Sequence, residues 1–509
     1  MMEHAPALVI AFPLFAAFAS HLIGRLGSRI RDIWVFASLL LTWLFAVFLN
    51  LEVMQRGTYA YTLGADISSL ASPAGFPVRI VLVIDGMSAL IAFMAVSVTL
   101  ASFIYSRRFM ERVSGGGESA DRYCSLVLLF LAGMLGMGLT GDFFTLFVFL
   151  EMTSISSASL VAFFRKGSSF EAAFKYMIIS AINALFLLFG IGMIYSQYGL
   201  LNMAAIANEM VLNFSFLDKV ALSLIVSAIL LKLGSVPVHM WKVDVYQKVP
   251  SSVAVMCITS SLVGIYVLSR ILFSVFFSMS ALTGWMIVCL GSLSIIVGVS
   301  MALPQKDLKR MIAYASIAEI GYVMLGIGTG LAGMSSTFGT VALSGGVFHI
   351  INDALDLGLM FLIAGAVFYA TGKTGISKLG GIAHRSASLS VLFIIGMLAV
   401  SGIPPFNGFV SKLIMYESVF CLNPVLSVIG ILGSILMLSV FVKVFASVFL
   451  GSPYKGKFRE IPLSMTAVMW IFALLIILLG LFPGLALDGL VSPAVEALLG
   501  HGIYMGVII

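Results

Sequence analysis

The sequence predicts an all-α polytopic membrane protein with about fourteen transmembrane helices, two inverted five-helix repeats and breaks in helices 7 and 12. Three observations carry that prediction. Of 509 residues, 61% are hydrophobic and 10% are charged, against about a quarter charged in an ordinary soluble domain. Apolar runs of about 20 residues, the length that crosses a hydrocarbon core of about 30 Å, recur along the whole chain. The basic residues alternate between connections as orientation in a bilayer demands. So few charges cannot cover a water-soluble protein of this size, which excludes a soluble enzyme, a disordered chain and a nucleic-acid-binding protein. The net charge of +6 is read as orientation, not as a phosphate-binding patch. Abundant glycine (49) and methionine (28) suit close helix packing in a membrane.

The candidate spans lie near 5–24, 33–54, 84–106, 123–140, 142–164, 171–197, 219–237, 250–271, 279–302, 311–331, 337–371, 386–421, 424–450 and 462–487. The apolar stretch 7–19 follows an acidic start and reads as the first span, not as a cleaved signal. The run 337–371 is too long for one perpendicular crossing and predicts tilt or a break. Residues 57–83, with polar alternation, Gly and Pro, read as an exposed hairpin or loop. With the N-terminus outside, 21 of the 28 Lys and Arg residues fall in odd-to-even connections and 4 in the others. The positive-inside rule then places both termini on the outer side of the cytoplasmic membrane. In that count Lys242 and Lys309 are loop cations on the inner side and Arg270 is a loop cation on the outer side. Three lysines, Lys232, Lys412 and Lys443, remain inside spans.

No cofactor is expected. Cys124, Cys257, Cys289 and Cys421 each sit in or beside an apolar run and form no CxxC, so iron–sulfur, zinc and haem ligation lack their ligand clusters. No P-loop or dinucleotide fingerprint follows a strand.

Charge inside the bilayer costs about 2.5–3.5 kcal/mol on the most lenient scale, so each buried ionisable residue needs a reason. Glu151 lies nine residues past Asp142, about 13 Å along a helix and near the midplane. Lys232 lies thirteen residues past Lys219, about 20 Å in by the same rise. The two are natural partners for an intramembrane ion pair, either on a proton path or as a structural clamp between helices. Asp85, His239, Glu319, His349, Asp353, Asp356, Lys412 and Glu417 share the bilayer with them, and Asp85, at the start of its span, also fits an interfacial position. His349, Asp353 and Asp356 are spaced i, i+4 and i+7, on one helix face, which suggests a hydrated path or a carboxylate cation site.

Two spans carry breaks. Pro237 closes Leu231-Lys232-Leu233-Gly234-Ser235-Val236-Pro237, and Pro404 and Pro405 sit in Ser401-Gly402-Ile403-Pro404-Pro405-Phe406-Asn407-Gly408. Proline removes a backbone donor, and unwound backbone survives at membrane depth only beside protein or water. Each break lies near a buried lysine, and the two are five spans apart. Because five is odd, two five-helix repeats are mutually inverted, and paired interrupted helices in such repeats point to an ion path. The chain is thus divided into helices 1–3 with the hairpin (1–122), a first repeat of helices 4–8 (123–271), a second of helices 9–13 (279–450), and helix 14 with a tail (451–509).

Beyond this pattern, Thr140-Gly141-Asp142-Phe143-Phe144-Thr145-Leu146-Phe147-Val148-Phe149-Leu150-Glu151 closely resembles the TGDLFNLFVFFE run of Mrp-type Na+/H+ antiporter D subunits. Phe174-Lys175-Tyr176, Gly199 to Ala204, Lys309 to Tyr314, Gly321-Tyr322 and Ser401 to Lys412 resemble the same family, so the resemblance covers about residues 85–445. The wider family includes antiporter-like subunits of respiratory complex I, of membrane-bound hydrogenases and of their sulfur-reducing relatives. The resemblance implies fourteen helices, a Glu151–Lys232 ion pair between helices 5 and 7, and Lys412 as the terminal lysine on broken helix 12. It implies partner membrane subunits in a hetero-oligomeric complex, transport of H+ with Na+ exchange in some members, and a peripheral redox module in the oxidoreductase members. The chain length fits the shorter D type. Three departures stand out. Leu262 replaces the central lysine that usually precedes Gly-x-Tyr, here Gly264-Ile265-Tyr266; Asp353 and Leu357 replace the histidine and lysine of helix 11; and Glu319 stands where relatives carry Gln or His. The expected role is an H+-moving antiporter-like subunit without its own redox centre. The alternatives are a diverged structural or coupling subunit with an inactive central relay, or the D subunit of a stand-alone Mrp antiporter.

Overall fold

The computed structural model describes residues 4–63, 80–114, 118–164, 167–454 and 456–506. Two helices, α1 (Ala5–Gly24) and α2 (Ser28–Arg56), precede a two-stranded antiparallel ribbon, β1 (Tyr59–Leu63) and β2 (Ile80–Ile84), in which Tyr59 faces Ile84. The middle of the expected hairpin lies outside the described residues. Its second strand is not exposed as expected: Val81 to Ile84 are buried, and the Val81 carbonyl accepts from the Gly141 amide.

The chain continues through α3 (Gly86–Ser114), α4 (Glu118–Leu139), α5 (Phe143–Val161), α6 (Gly167–Tyr198), the short α7 (Met203–Asn213), α8 (Phe216–Leu233), α9 (Met240–Lys248) and α10 (Ser251–Arg270). There follow α11 (Ser280–Ala302), α12 (Leu308–Ala332), α13 (Thr337–Thr371), α14 (Ala387–Val400), α15 (Asn407–Leu422), α16 (Pro424–Val444) and α17 (Leu463–Leu481), then α18 (Gly484–Ala486), α19 (Ser492–Leu499) and α20 (His501–Gly506). Among the described residues, 12 helices are long and apolar enough to cross a membrane. The other two predicted spans are the broken ones, α8–α9 and α14–α15.

Polar side chains set the helix starts. Asp142 accepts from the Thr145 amide, Asp307 from that of Arg310, and Ser336 from that of Gly339. Ser215 and Asp218 form a reciprocal capping box at α8, which satisfies two amides that the first turn leaves orphaned. The expected tilt or break in 337–371 resolves in favour of one unbroken helix, α13. At 1.5 Å per residue its 35 residues extend about 52 Å.

Each break combines a left-handed glycine with proline. Gly234 (φ +65°) ends α8 and Gly402 (φ +70°) follows α14; the Val236–Pro237 and Pro404–Pro405 peptides are cis. Glycine takes positive φ without a Cβ clash.

Every residue of α10 is buried, and α12 and α13 are nearly as enclosed. A Cβ on Gly284, Gly291 or Gly298 would come within 2.8 Å of the α12 backbone. Small residues at seven-residue spacing therefore let α11 approach α12 closely, and Glu319 of α12 is shut inside the bundle, 2% exposed.

Several loop assignments are corrected. Lys242 and Lys309 are buried rather than in inner loops, and Lys309 donates to the Val249 carbonyl. Arg270 is not an outer loop cation: it is buried and ion-paired with Asp85, beneath the Tyr504 ring, 4.8 Å from its centroid. Asp85 is accordingly a buried partner at the start of its span, not a solvated interfacial acid. Lys443 lies within a span, Pro424–Phe449, as expected, but on an exposed face of α16, where it donates to the Leu303 carbonyl. Glu417 also lies on the outer face, on α15.

Candidate functional site

The break in span 12 exposes backbone at membrane depth, and the chain satisfies it with a lysine. Lys412, on the second turn of α15, reaches back so that Nζ donates to the Val400 carbonyl at 2.7 Å, where α14 ends. The same Nζ donates to Glu319 Oε1 at 3.0 Å and lies 4.1 Å from the Tyr322 ring centroid. Glu319 Oε2 is 2.9 Å from His349 Nε2, and His349 Nδ1 is 3.0 Å from Ser411 Oγ. Lysine, glutamate and histidine are each at most 2% exposed. One carboxylate thus balances a lysine and fixes an imidazole. Desolvated charges of this kind persist only when paired and fully hydrogen-bonded.

The network runs on through side chains that spacing along the sequence does not single out. Asn352 Nδ2 donates to Ser411 Oγ at 2.9 Å and to the Asn407 carbonyl at 3.1 Å. Asn407 Nδ2 donates to Asn352 Oδ1 and to Asp356 Oδ1, both at 3.0 Å. Glu319, His349, Asp356 and Lys412 therefore belong to one connected polar cluster. Asp353, on the same helix and 1% exposed, stands apart: among the described residues, neither of its carboxylate oxygens has a hydrogen-bond partner. Asn407 opens α15 two residues past Pro405, and that place just beyond the proline pair is the signal the sequence carries.

The first broken span holds a different arrangement. Lys232, the second-last residue of α8, is 5% exposed. Its Nζ donates to Thr153 Oγ1 at 3.0 Å, Ser154 Oγ at 3.2 Å and Tyr176 OH at 3.3 Å. Ser157 donates to the same phenol oxygen, and Tyr176 stacks on Trp241 with centroids 4.7 Å apart. The expected Glu151–Lys232 ion pair is not made. Glu151 Oε1 has no hydrogen-bond partner among the described residues, and the residue is half-buried at the outer side of α5. Successive residues turn by about 100° around a helix, so Thr153 and Ser154 bring their hydroxyls to the ammonium while Glu151 points elsewhere. The two charges still interact electrostatically. His239, at the start of α9 and 7% exposed, is unpartnered at both ring nitrogens among the described residues. Pro237 lies in the break itself, between Lys232 and His239.

A small cavity of about 10 Å³ opens beside Lys232, lined also by Tyr246, Cys257, Ser260 and Ser261, about the space that one water needs. Leu262, which follows Ser261 on α10, is fully buried. Among the described residues, no group of three or more His, Cys, Asp and Glu side chains could hold a metal.

Enclosed networks of charged and polar side chains at two interrupted helices of an otherwise apolar bundle are the interior expected of an antiporter-like membrane protein. The comparisons agree. The family model described as "NADH:quinone oxidoreductase/Mrp antiporter, TM" matches residues 140–437, and the chain belongs to that family. It is 32% identical to NADH-quinone oxidoreductase subunit N of Desulforudis audaxviator, over 95% of this chain and 96% of that one. It is 27% identical to a Na(+)/H(+) antiporter subunit from Alkalihalophilus pseudofirmus over 82% of this chain, which spans about half (54%) of that longer protein. Among solved structures, a chain of the archaeal membrane-bound sulfane sulfur reductase superposes with TM-score 0.85 at 28% identity, covering 99% of both chains. A chain of the Mrp complex from Dietzia sp. shares the fold at TM-score 0.86 and 24% identity, covering 100% of this chain and 99% of that one.

Proposed function

We propose that this chain moves protons as one antiporter-like subunit of a multi-subunit ion-translocating complex in the cytoplasmic membrane, with Glu151, Lys232, His239, Glu319, His349, Asp353, Asp356 and Lys412 on its path. The observation that carries this reading is the sealed Glu319–Lys412–His349 cluster. Three ionisable groups meet at two carboxylate oxygens beside a helix break, where a proton can change owner without net charge entering lipid. The partners are other membrane subunits, as in the Mrp, sulfur-reductase and complex I assemblies to which the fold is similar. In an oxidoreductase-type complex a peripheral redox module drives the motion; in an Mrp-type complex a Na+ gradient exchanges with it. In this reading Glu151, half-buried on α5, senses a charge arriving in a neighbouring subunit. The alternation of basic residues supports both termini outside, and the matched breaks support inverted repeats over 123–271 and 279–450.

The test is proton uptake by proteoliposomes holding the complete complex. Lys412→Met, with normal assembly, should abolish this subunit's share. The buried Leu262 favours one second reading, a coupling subunit with a dead centre, and wild-type uptake in Lys412→Met would establish it in place of conduction.

A further inference from the structure

The half-helices α9 and α15 present the same construction twice. Lys412 Nζ donates to the Val400 carbonyl that ends α14; Lys242 Nζ donates, at 3.1 Å, to the Leu233 carbonyl that ends α8. A Cβ on the left-handed Gly402 would lie 2.9 Å from Lys412 Cδ, and one on the left-handed Gly234 would lie 2.8 Å from Lys242 Cδ. Each lysine also sits by a tyrosine ring, Lys412 by Tyr322 and Lys242 by Tyr246 at 5.3 Å. Lys242 is therefore the positional counterpart of Lys412, carried by the first break. It is fully buried, as α10 and the neighbouring helices close over it.

The two copies differ in their acid. Lys412 has Glu319 at hydrogen-bonding distance, whereas Lys242 has no carboxylate in direct contact among the described residues. A buried lysine of this kind demands a compensating charge nearby, and Asp353 interacts with it electrostatically. Asp353 is buried with both oxygens unpartnered, and the charges of Glu319 and Lys412 also reach it. On the opposite side, the cavity beside Lys232 is lined by Tyr246 and Ser261, whose hydroxyls lie 3.3 Å apart. Lys242, 5.3 Å from the Tyr246 ring that lines the cavity, and Asp353, within reach of Glu319 and Lys412, thus stand between the Lys232 hydroxyl cradle and the Glu319–Lys412 cluster.

We propose that Lys242 and Asp353 form a central proton-relay station that supplies, from α9 and α13, the titratable group that α10 lacks at Leu262. This rests on the proton-conducting reading above. The step moves one proton between groups that are not in hydrogen-bonding contact, through one water molecule entering between them: an Nζ–H bond of the Lys242 ammonium breaks as an O–H bond forms on the water, and the water's other O–H bond breaks as an O–H bond forms on the Asp353 carboxylate. Ammonium and carboxylate become amine and carboxylic acid, so the pair's total charge stays zero and no isolated charge crosses the apolar centre, where it would be very costly. Asp353 then releases the proton toward Glu319 and Lys412. Lys242 is reprotonated from the Lys232 side by way of the cavity and Tyr246, which lines it and stands beside Lys242.

The experiment compares Lys242→Met, Lys242→Arg and Asp353→Asn with Lys412→Met in the intact complex, reconstituted in proteoliposomes, with assembly checked for each. Arginine keeps the buried charge but does not give up its proton, so it separates relay from stability should the methionine variant fail to assemble. The expected result is that each assembled variant lowers, by about tenfold or more, the proton translocation that Lys412→Met removes, equivalent to about 1.4 kcal/mol or more on the transfer barrier. A wild-type rate in assembled Lys242→Arg or Asp353→Asn, with Lys412→Met impaired, overturns this station and leaves the conducting reading standing. Wild-type rates in all of them overturn both.

Discussion

Glu319→Gln isolates the charge of the buried cluster from its hydrogen bonds. Glutamine keeps the length of the side chain, its carbonyl still accepts from Lys412, and its amide still reaches His349. Only the negative charge is lost. At the observed 3.0 Å separation and an effective dielectric of about 20, the lost Coulomb attraction is about 5 kcal/mol. That agrees with the about 3–5 kcal/mol that follows when one partner of a buried pair is removed. The complex should therefore melt at a clearly lower temperature in detergent and lose this subunit's proton uptake in proteoliposomes. The double variant Glu319→Gln/Lys412→Met removes the stranded cation too, and stability should return toward wild type while uptake stays lost, since an uncharged pair of similar volume is often as stable as the ion pair. An unchanged melting temperature in the single variant would refute the charge argument. So would a double variant no more stable than the single one.

Further expectations follow from neighbouring geometry. Thr153→Val with Ser154→Ala removes two of the three hydroxyls on Lys232; each such bond to a charged group is worth about 1.5–3 kcal/mol, so the intact complex should show slowed proton uptake and a lower melting temperature. Gly402→Ala places a Cβ in a left-handed backbone, 2.9 Å from Lys412 Cδ, at a cost of about 1–3 kcal/mol, and uptake should fall although no ionisable group has changed. Arg270→Leu leaves Asp85 buried without its partner, about 3–5 kcal/mol, and frees Tyr504; limited proteolysis should then cut the segment 492–506 faster than in wild type.

Much of this interior is readable from residue spacing. Glu319 lies nine residues past Arg310, about 13 Å along a helix and so near mid-depth by rise per residue alone, and the prolines mark both interrupted spans. The i, i+4, i+7 spacing brings His349, Asp353 and Asp356 to one face, and the structure divides that face into a networked part and the solitary Asp353. What spacing cannot supply is rotation and enclosure. Glu151 and Lys232 share a depth, yet the helix turn that sets Thr153 and Ser154 against the ammonium is invisible in a depth argument. Lys242 is concealed differently. With Asp244, Gln247 and Lys248 in the same nine residues, α9 reads locally as a polar loop. Only the return of the chain through the Gly234–Pro237 break, under a wholly enclosed α10, makes its lysine an interior residue. Arg270 reads as a loop cation for the same reason, since its acid, Asp85, is 185 positions away.

The lysines that stop the half-helices have an arithmetic of hydrogens with a mechanical consequence. An ammonium carries three N–H groups. At Lys412 two are engaged, by Glu319 and by the Val400 carbonyl; at Lys242 one is, by the Leu233 carbonyl. A neutral amine still has two N–H groups, enough to keep every one of these bonds. On the proposed path the bonds to the Val400 and Leu233 carbonyls persist through discharge and recharge, and a proton handed to Glu319 along the Lys412–Glu319 bond leaves that bond in place with donor and acceptor exchanged. Traffic through such a bundle is then a redistribution of bonds along fixed posts, in contrast to carriers that must rock open and shut around their cargo.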